Sequence, residues 1–256
     1  MSPTDTIKTR GFLSPQIETF QAEYRAELKD TFKAVEASSD AATKLLFEAQ
    51  GLANLGGHEL LAFAFWCRCL AACQGTIILA ERGMVPEAQI LLRGAFEFLF
   101  FALAAIEDPC VFDSLDKGHG YATAEQARAM LKEGAPSGKL TPEQVATLEA
   151  FVQQADPGAK ALTVFAAAQK AGLSYHHAAV YRGLSFIAAH PTMAATDALF
   201  EQRSCGQTQM VFGPSSKGLA FTLGLVDTCL TSGAPRIERL LADRAQADAP
   251  HCASKG

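Results

Sequence analysis

Ile90-Leu91-Leu92-Arg93-Gly94-Ala95-Phe96-Glu97-Phe98-Leu99-Phe100-Phe101 is the stretch that decides the fold. Apolar residues fill it without a period of two, and the run extends from Pro86 to Glu107, too long for a strand. A helix that is apolar all round is normally enclosed by other helices. Arg93 and Glu97 interrupt it, four residues apart and therefore on one face. Charges in such a helix must be paired or line a cavity, because an unpaired buried charge is costly. On that reading Glu97→Ala strands Arg93 and destabilises the fold by several kcal/mol.

Working outward, Leu60 to Ala80 is a second long apolar run, interrupted by Arg68, Gln74 and Thr76. It predicts a helix from His58 to Arg82, with Gly83 as the C-terminal cap and Pro86 opening the next helix. So short a connection makes the two an antiparallel hairpin. A membrane-spanning helix needs about 20 residues with few or no charges, and a central Arg costs about 2.5 kcal/mol or more on insertion. Charges near the middle of both runs predict core helices of a soluble bundle, with no membrane partner.

The 256 residues carry 22 Lys+Arg against 27 Asp+Glu, a net charge of -5, with 49% hydrophobic and 19% charged residues. That composition supports a large core and excludes disorder throughout. It also lacks the overall positive field of a strongly basic nucleic-acid binder. Met1 to Arg10 is polar, without the apolar core of a secretory signal, so a cytoplasmic protein with reduced thiols is expected. The seven cysteines form no regular framework. Cys67, Cys69 and Cys73 lie in the first apolar run and read as small buried hydrophobes, since a zinc site needs a fourth ligand. No metal and no cofactor is expected.

Helical spacing recurs along the rest of the chain. Ile17, Phe20, Tyr24, Leu28, Phe32 and Val35 mark a first helix after Ser14-Pro15, and a second runs from Asp40 to Leu55. Short helices are expected at Cys110–Asp116 and Ala122–Glu133. Thr141-Pro142-Glu143-Gln144 is a capping box opening a helix to about Ala155. Further helices are expected over Ala159–Ala171, Ser174–His190 and Lys217–Ala245, the last broken or kinked near Gly233-Ala234-Pro235, and Gln207–Phe212 reads as extended. The fold class is all-α, a multi-helix bundle built around the long apolar hairpin. Residues 1–13 are expected to be a flexible N-terminus, 14–246 a single helical domain and 247–256 a disordered tail.

Few motifs survive inspection. Gly118-His119-Gly120 lacks the third glycine and the strand of a dinucleotide fingerprint. His176 and His177 are adjacent and point to different sides of a helix. What remains is Tyr181-Arg182-Gly183-Leu184-Ser185, with His190 closing the same helix. Tyr181 and Ser185 share a face, and with Arg93 and Glu97 they are the candidate binding residues. At a helix C-terminus the macrodipole favours a charged His190, so His190 is a candidate acid/base group with Arg182 beside it to hold anionic charge.

The pairing of Leu91-Leu92-Arg93-Gly94-Ala95-Phe96-Glu97 with Tyr181–Ser185 and Ala189-His190-Pro191-Thr192 resembles a bacterial family of all-helical proteins of unknown function, over roughly residues 20–245. More distantly, an Arg followed by a helix-ending His resembles the HEPN domains, helical bundles that include metal-independent ribonucleases of toxin and defence systems. In their motif the two residues stand closer than Arg182 and His190, which seven residues separate here. Two functions follow. One is a non-catalytic module that binds a small ligand or a protein through a polar cavity near Arg93, Glu97, Tyr181 and His190. The resemblance implies the other: a dimeric ribonuclease in which Arg182 or Arg93 holds RNA phosphate and His190 moves the proton.

Overall fold

In the computed structural model, residues 6–49, 55–156, 158–189, 191–202 and 206–248 are described. The helices α1 (Ile7–Arg10), α2 (Ile17–Glu27), α3 (Lys29–Ala49), α4 (Gly57–Glu81) and α5 (Val85–Glu107) are followed by α6 (Cys110–Gly134), α7 (Pro142–Gln154) and α8 (Val164–Lys170). Residues 174–189 are helical throughout: α9 (Ser174–His176) and α10 (Arg182–Leu184) alternate with π-helical turns at His177–Tyr181 and Ser185–Ala189. After α11 (Met193–Thr196), the strands β1 (Phe200–Gln202) and β2 (Thr208–Met210) form an antiparallel ribbon with Phe200 opposite Met210, and α12 (Leu219–Asp248) follows. The architecture is an all-α bundle.

At its centre α4 and α5 pack along their length, joined by a tight turn. Gly83 in that turn has φ 75°, and a Cβ there would lie 2.7 Å from Pro214 Cβ. Only glycine combines that backbone with so close an approach. The Gly83 carbonyl accepts from the Ser215 N–H at 3.1 Å, fastening the segment before α12 across the turn. α12 then packs against α3, α4 and α5. Its crossing is close because Gly233 faces Trp66: an added Cβ would run into the indole. Trp66, Leu92, Phe96, Leu99, Phe100 and Leu103 are enclosed completely at this junction. By length and composition α4 and α5 could each cross a membrane, and 50% and 56% of their most apolar windows are buried within the protein.

Several local expectations are corrected. The first two helices do not separate at 36–39. The break falls at Leu28, and α3 runs unbroken through Ser38 and Ser39. Serine favours helix ends when it competes for local backbone groups, but here both hydroxyls have distant partners. Ser38 Oγ donates to Asp227 Oδ1 at 2.5 Å, and Ser39 Oγ accepts from Gln74 Nε2 at 3.1 Å. Likewise α6 is one helix through Gly118 and Gly120. Gly118 is small because the chain crosses there, with Ala161 Cα 3.0 Å from where a Cβ would sit. α8 begins at Val164 rather than 159, where Thr163 Oγ1 accepts from the Ala166 N–H at 3.1 Å. Pro235 lies inside α12 without ending it. Apart from these corrections, residues 7–13 form two short helical turns, and Phe12 meets Phe212 edge-on at 5.5 Å.

Candidate functional site

Arg93 leaves the middle of α5 toward the irregular helix 174–189. Its Nε donates to Ser185 Oγ at 2.8 Å and its Nη2 to Tyr181 Oη at 2.5 Å, while Nη1 lies 3.4 Å from Glu97 Oε2. Tyr181 Oη in turn donates to Glu97 Oε2 at 3.3 Å, and Ser185 Oγ donates to the Tyr181 carbonyl at 2.8 Å. The four candidate binding residues therefore form one network. Two π-helical turns end and begin at Tyr181 and Ser185, and single π turns inside helices are frequent at functional sites.

The electrostatics set each role. Burial, then the Glu97 carboxylate, pushes the Tyr181 phenol above its usual value, so it stays a donor at neutral pH. His177 stacks on the Tyr181 ring with centroids 5.1 Å apart. Burial and the Arg182 charge hold its imidazole below the ordinary value. The Arg93 and Glu97 side chains are 25% and 35% exposed, so their pair is half-solvated rather than sealed. That lowers the cost expected for Glu97→Ala, since Arg93 keeps Tyr181, Ser185 and water.

Arg182 does not join the network. Its side chain is exposed and makes no hydrogen bond or ion pair among the described residues. His190 lies outside the described residues. His176 and His177 serve different partners: His176 Nε2 is 3.4 Å from Ser232 Oγ, and His177 lies against Phe165, Phe100 and Tyr181.

Beside the network lies an apolar cavity of about 370 Å³ lined by Phe65, Gly94, Glu97, Phe98, Phe101 and Leu115. Sequence reasoning missed this wall. Gly94, Glu97, Phe98 and Phe101 do follow the three- and four-residue steps of one helix face, but in a helix apolar on all sides that stripe does not stand out. Arg68 Cζ lies over the Phe98 ring at 5.2 Å. Glu97 Oε2 is committed to Arg93 and Tyr181, while Oε1 has no hydrogen bond among the described residues. Cys69, Cys73 and Cys229 are the one group among the described residues whose side chains could together hold a metal ion.

The family described as "Family of unknown function (DUF5677)" matches residues 59–207, more than half of the chain. The chain belongs to this family. The DUF5677 span contains α4 from Glu59 onward, α5 and the helix 174–189, and hence the whole Arg93–Glu97–Tyr181–Ser185 network and the cavity wall. α2, α3 and α12 lie outside it. No curated protein and no solved structure matches the chain.

Proposed function

We propose that this DUF5677 protein is a non-catalytic binding module for a small molecule with an apolar, ring-sized body and a cationic or hydrogen-bond-donating head. Glu97 carries the reading: it belongs to the polar network and to the apolar cavity at once, and Oε1 is left to accept from a ligand. About 370 Å³ falls within the usual size of small-molecule sites, which are mostly apolar with a few fixed polar groups. Arg93 and Tyr181 hold the carboxylate in place, so the ligand meets a group that needs no reordering.

Titration calorimetry with phenylbutylamine and the isosteric phenylbutyrate tests this. The amine is expected to bind and the carboxylate to bind at least tenfold more weakly, with Glu97→Gln removing the difference. Gly94→Leu fills the cavity, because nothing lies within 4 Å of a Cβ at Gly94, and it should abolish binding while the protein stays folded. Equal binding of both compounds to the native protein, or binding that survives Gly94→Leu, would overturn the reading. A metal-independent ribonuclease of the HEPN kind is the second reading and rests on Arg182 and His190. Cleavage of an end-labelled RNA pool in chelator, lost in His190→Ala, would put it first.

A further inference from the structure

The sulfurs of Cys69, Cys73 and Cys229 lie within 4.8 Å of one another, and the Cys69 and Cys229 Sγ atoms are 3.6 Å apart. All three residues are fully buried. Cys69 and Cys73 stand one turn apart on α4, and α12 brings Cys229 against them from 160 residues away. At 3.6 Å the sulfurs are not bonded, since a disulfide is about 2.05 Å long. Three thiolates about 2.3 Å from a shared pyramidal centre stand about 3.5 Å apart, close to the 3.6 Å between Cys69 and Cys229 and inside the 4.8 Å that bounds all three. The set is therefore close to the geometry of a three-coordinate soft-ion site.

Charge selects the ion. Among the described residues, burial and the neighbouring thiols act on these groups and no cationic side chain does. Three thiolates around a monovalent or divalent ion leave net negative charge in the core, which is costly without a partner. A trivalent ion leaves none.

We propose that Cys69, Cys73 and Cys229 form a buried site for a trivalent thiophilic ion of the arsenite class. Arsenous acid reacts with three thiols: three As–O bonds break, three As–S bonds form, and each thiol proton leaves with a hydroxide as water. The arsenic stays trivalent and the charge is zero on both sides. Entry requires α12 to part from α4. Pro235 cannot donate to the Thr231 carbonyl, so α12 lacks one backbone bond close to Cys229.

The test uses full-length reduced protein in which Cys67, Cys110, Cys205 and Cys252 are replaced by serine, leaving the three core thiols. Arsenite should bind with one equivalent, shown by native mass spectrometry as one arsenic gained and three hydrogens lost. It should remove all three thiols from titration in denaturant, raise the melting midpoint, and outcompete zinc. Cys229→Ala in that background should weaken binding at least tenfold; if that variant does not fold, Cys73→Ala replaces it. No binding to the folded three-thiol protein, protection of only two thiols, or preference for zinc would overturn the proposal. These readouts do not involve the Glu97 cavity, so failure of either proposal leaves the other standing.

Discussion

Arg93 holds Tyr181 twice: its Nη2 donates to the phenol oxygen at 2.5 Å, and its guanidinium carbon lies 4.6 Å from the centre of the same ring. The residues are 88 positions apart on different helices, so this contact ties α5 to the irregular helix 174–189. Replacing Arg93 with Met removes the donors to Tyr181 and Ser185. It should destabilise the protein by about 1–3 kcal/mol, the cost of losing charge-assisted hydrogen bonds at a half-buried site. Glu97→Gln keeps an acceptor and disturbs a pair that water already screens, so it should cost less than about 1 kcal/mol. Urea unfolding of both variants checks the order; a larger loss in Glu97→Gln would show a sealed pair.

Glu59 is a different case. Its side chain is 3% exposed, with Oε2 accepting from the Gly56 N–H at 2.8 Å and Oε1 from Arg244 Nε at 2.5 Å. It thus joins the start of α4 to the end of α12. Arg244→Met leaves a buried carboxylate with only the backbone donor and should cost about 2–4 kcal/mol. A change below about 0.5 kcal/mol in urea unfolding would show that water replaces Arg244.

Gly233→Ala would ordinarily favour a helix by about 1 kcal/mol. In α12 the new methyl runs into the Trp66 indole and stands 2.8 Å from Leu99, inside a packed core. Net destabilisation of about 1–3 kcal/mol is expected from overpacking, with a shift in Trp66 fluorescence. A gain in melting midpoint would mean that α12 crosses less closely.

His177 gives the protein a pH dependence of defined sign. Burial first, and the Arg182 charge second, place its folded pKa below the ordinary value of 6.5. Above that value both folded and unfolded chains carry a neutral imidazole. As pH falls below it the unfolded chain takes up its proton first, so stability declines until the folded group also protonates. The loss of melting midpoint between about pH 7 and about pH 5 should shrink in His177→Gln. An unchanged slope would assign the dependence to other groups.

The central hairpin was legible in the sequence because its signal is local. Two runs too apolar and too long for strands, joined across Gly83 and Pro86, leave enclosed antiparallel helices as the reading, and the structure has them at Gly57–Glu81 and Val85–Glu107. The capping box at Thr141 is equally local: Thr141 Oγ1 accepts from the Gln144 N–H at 3.3 Å and Gln144 Oε1 accepts from the Thr141 N–H at 2.9 Å. The spacing of Arg93 with Glu97, and of Tyr181 with Ser185, placed each pair on one face, because helical periodicity is a property of neighbours.

Joining those pairs was a tertiary decision. Arg93 reaches Ser185 only because α5 packs on the helix 174–189, and two π-helical turns set where Tyr181 and Ser185 emerge. Ser38 and Ser39 sit inside a helix because Asp227 and Gln74 satisfy their hydroxyls. Cys229 meets Cys69 and Cys73 because Gly233 lets α12 close on α4. In each case the partner lies tens to more than a hundred residues away, where periodicity and capping carry no information. The sequence by itself determined which surfaces had to be buried; the packing of whole helices decided which polar groups and sulfurs those surfaces brought together.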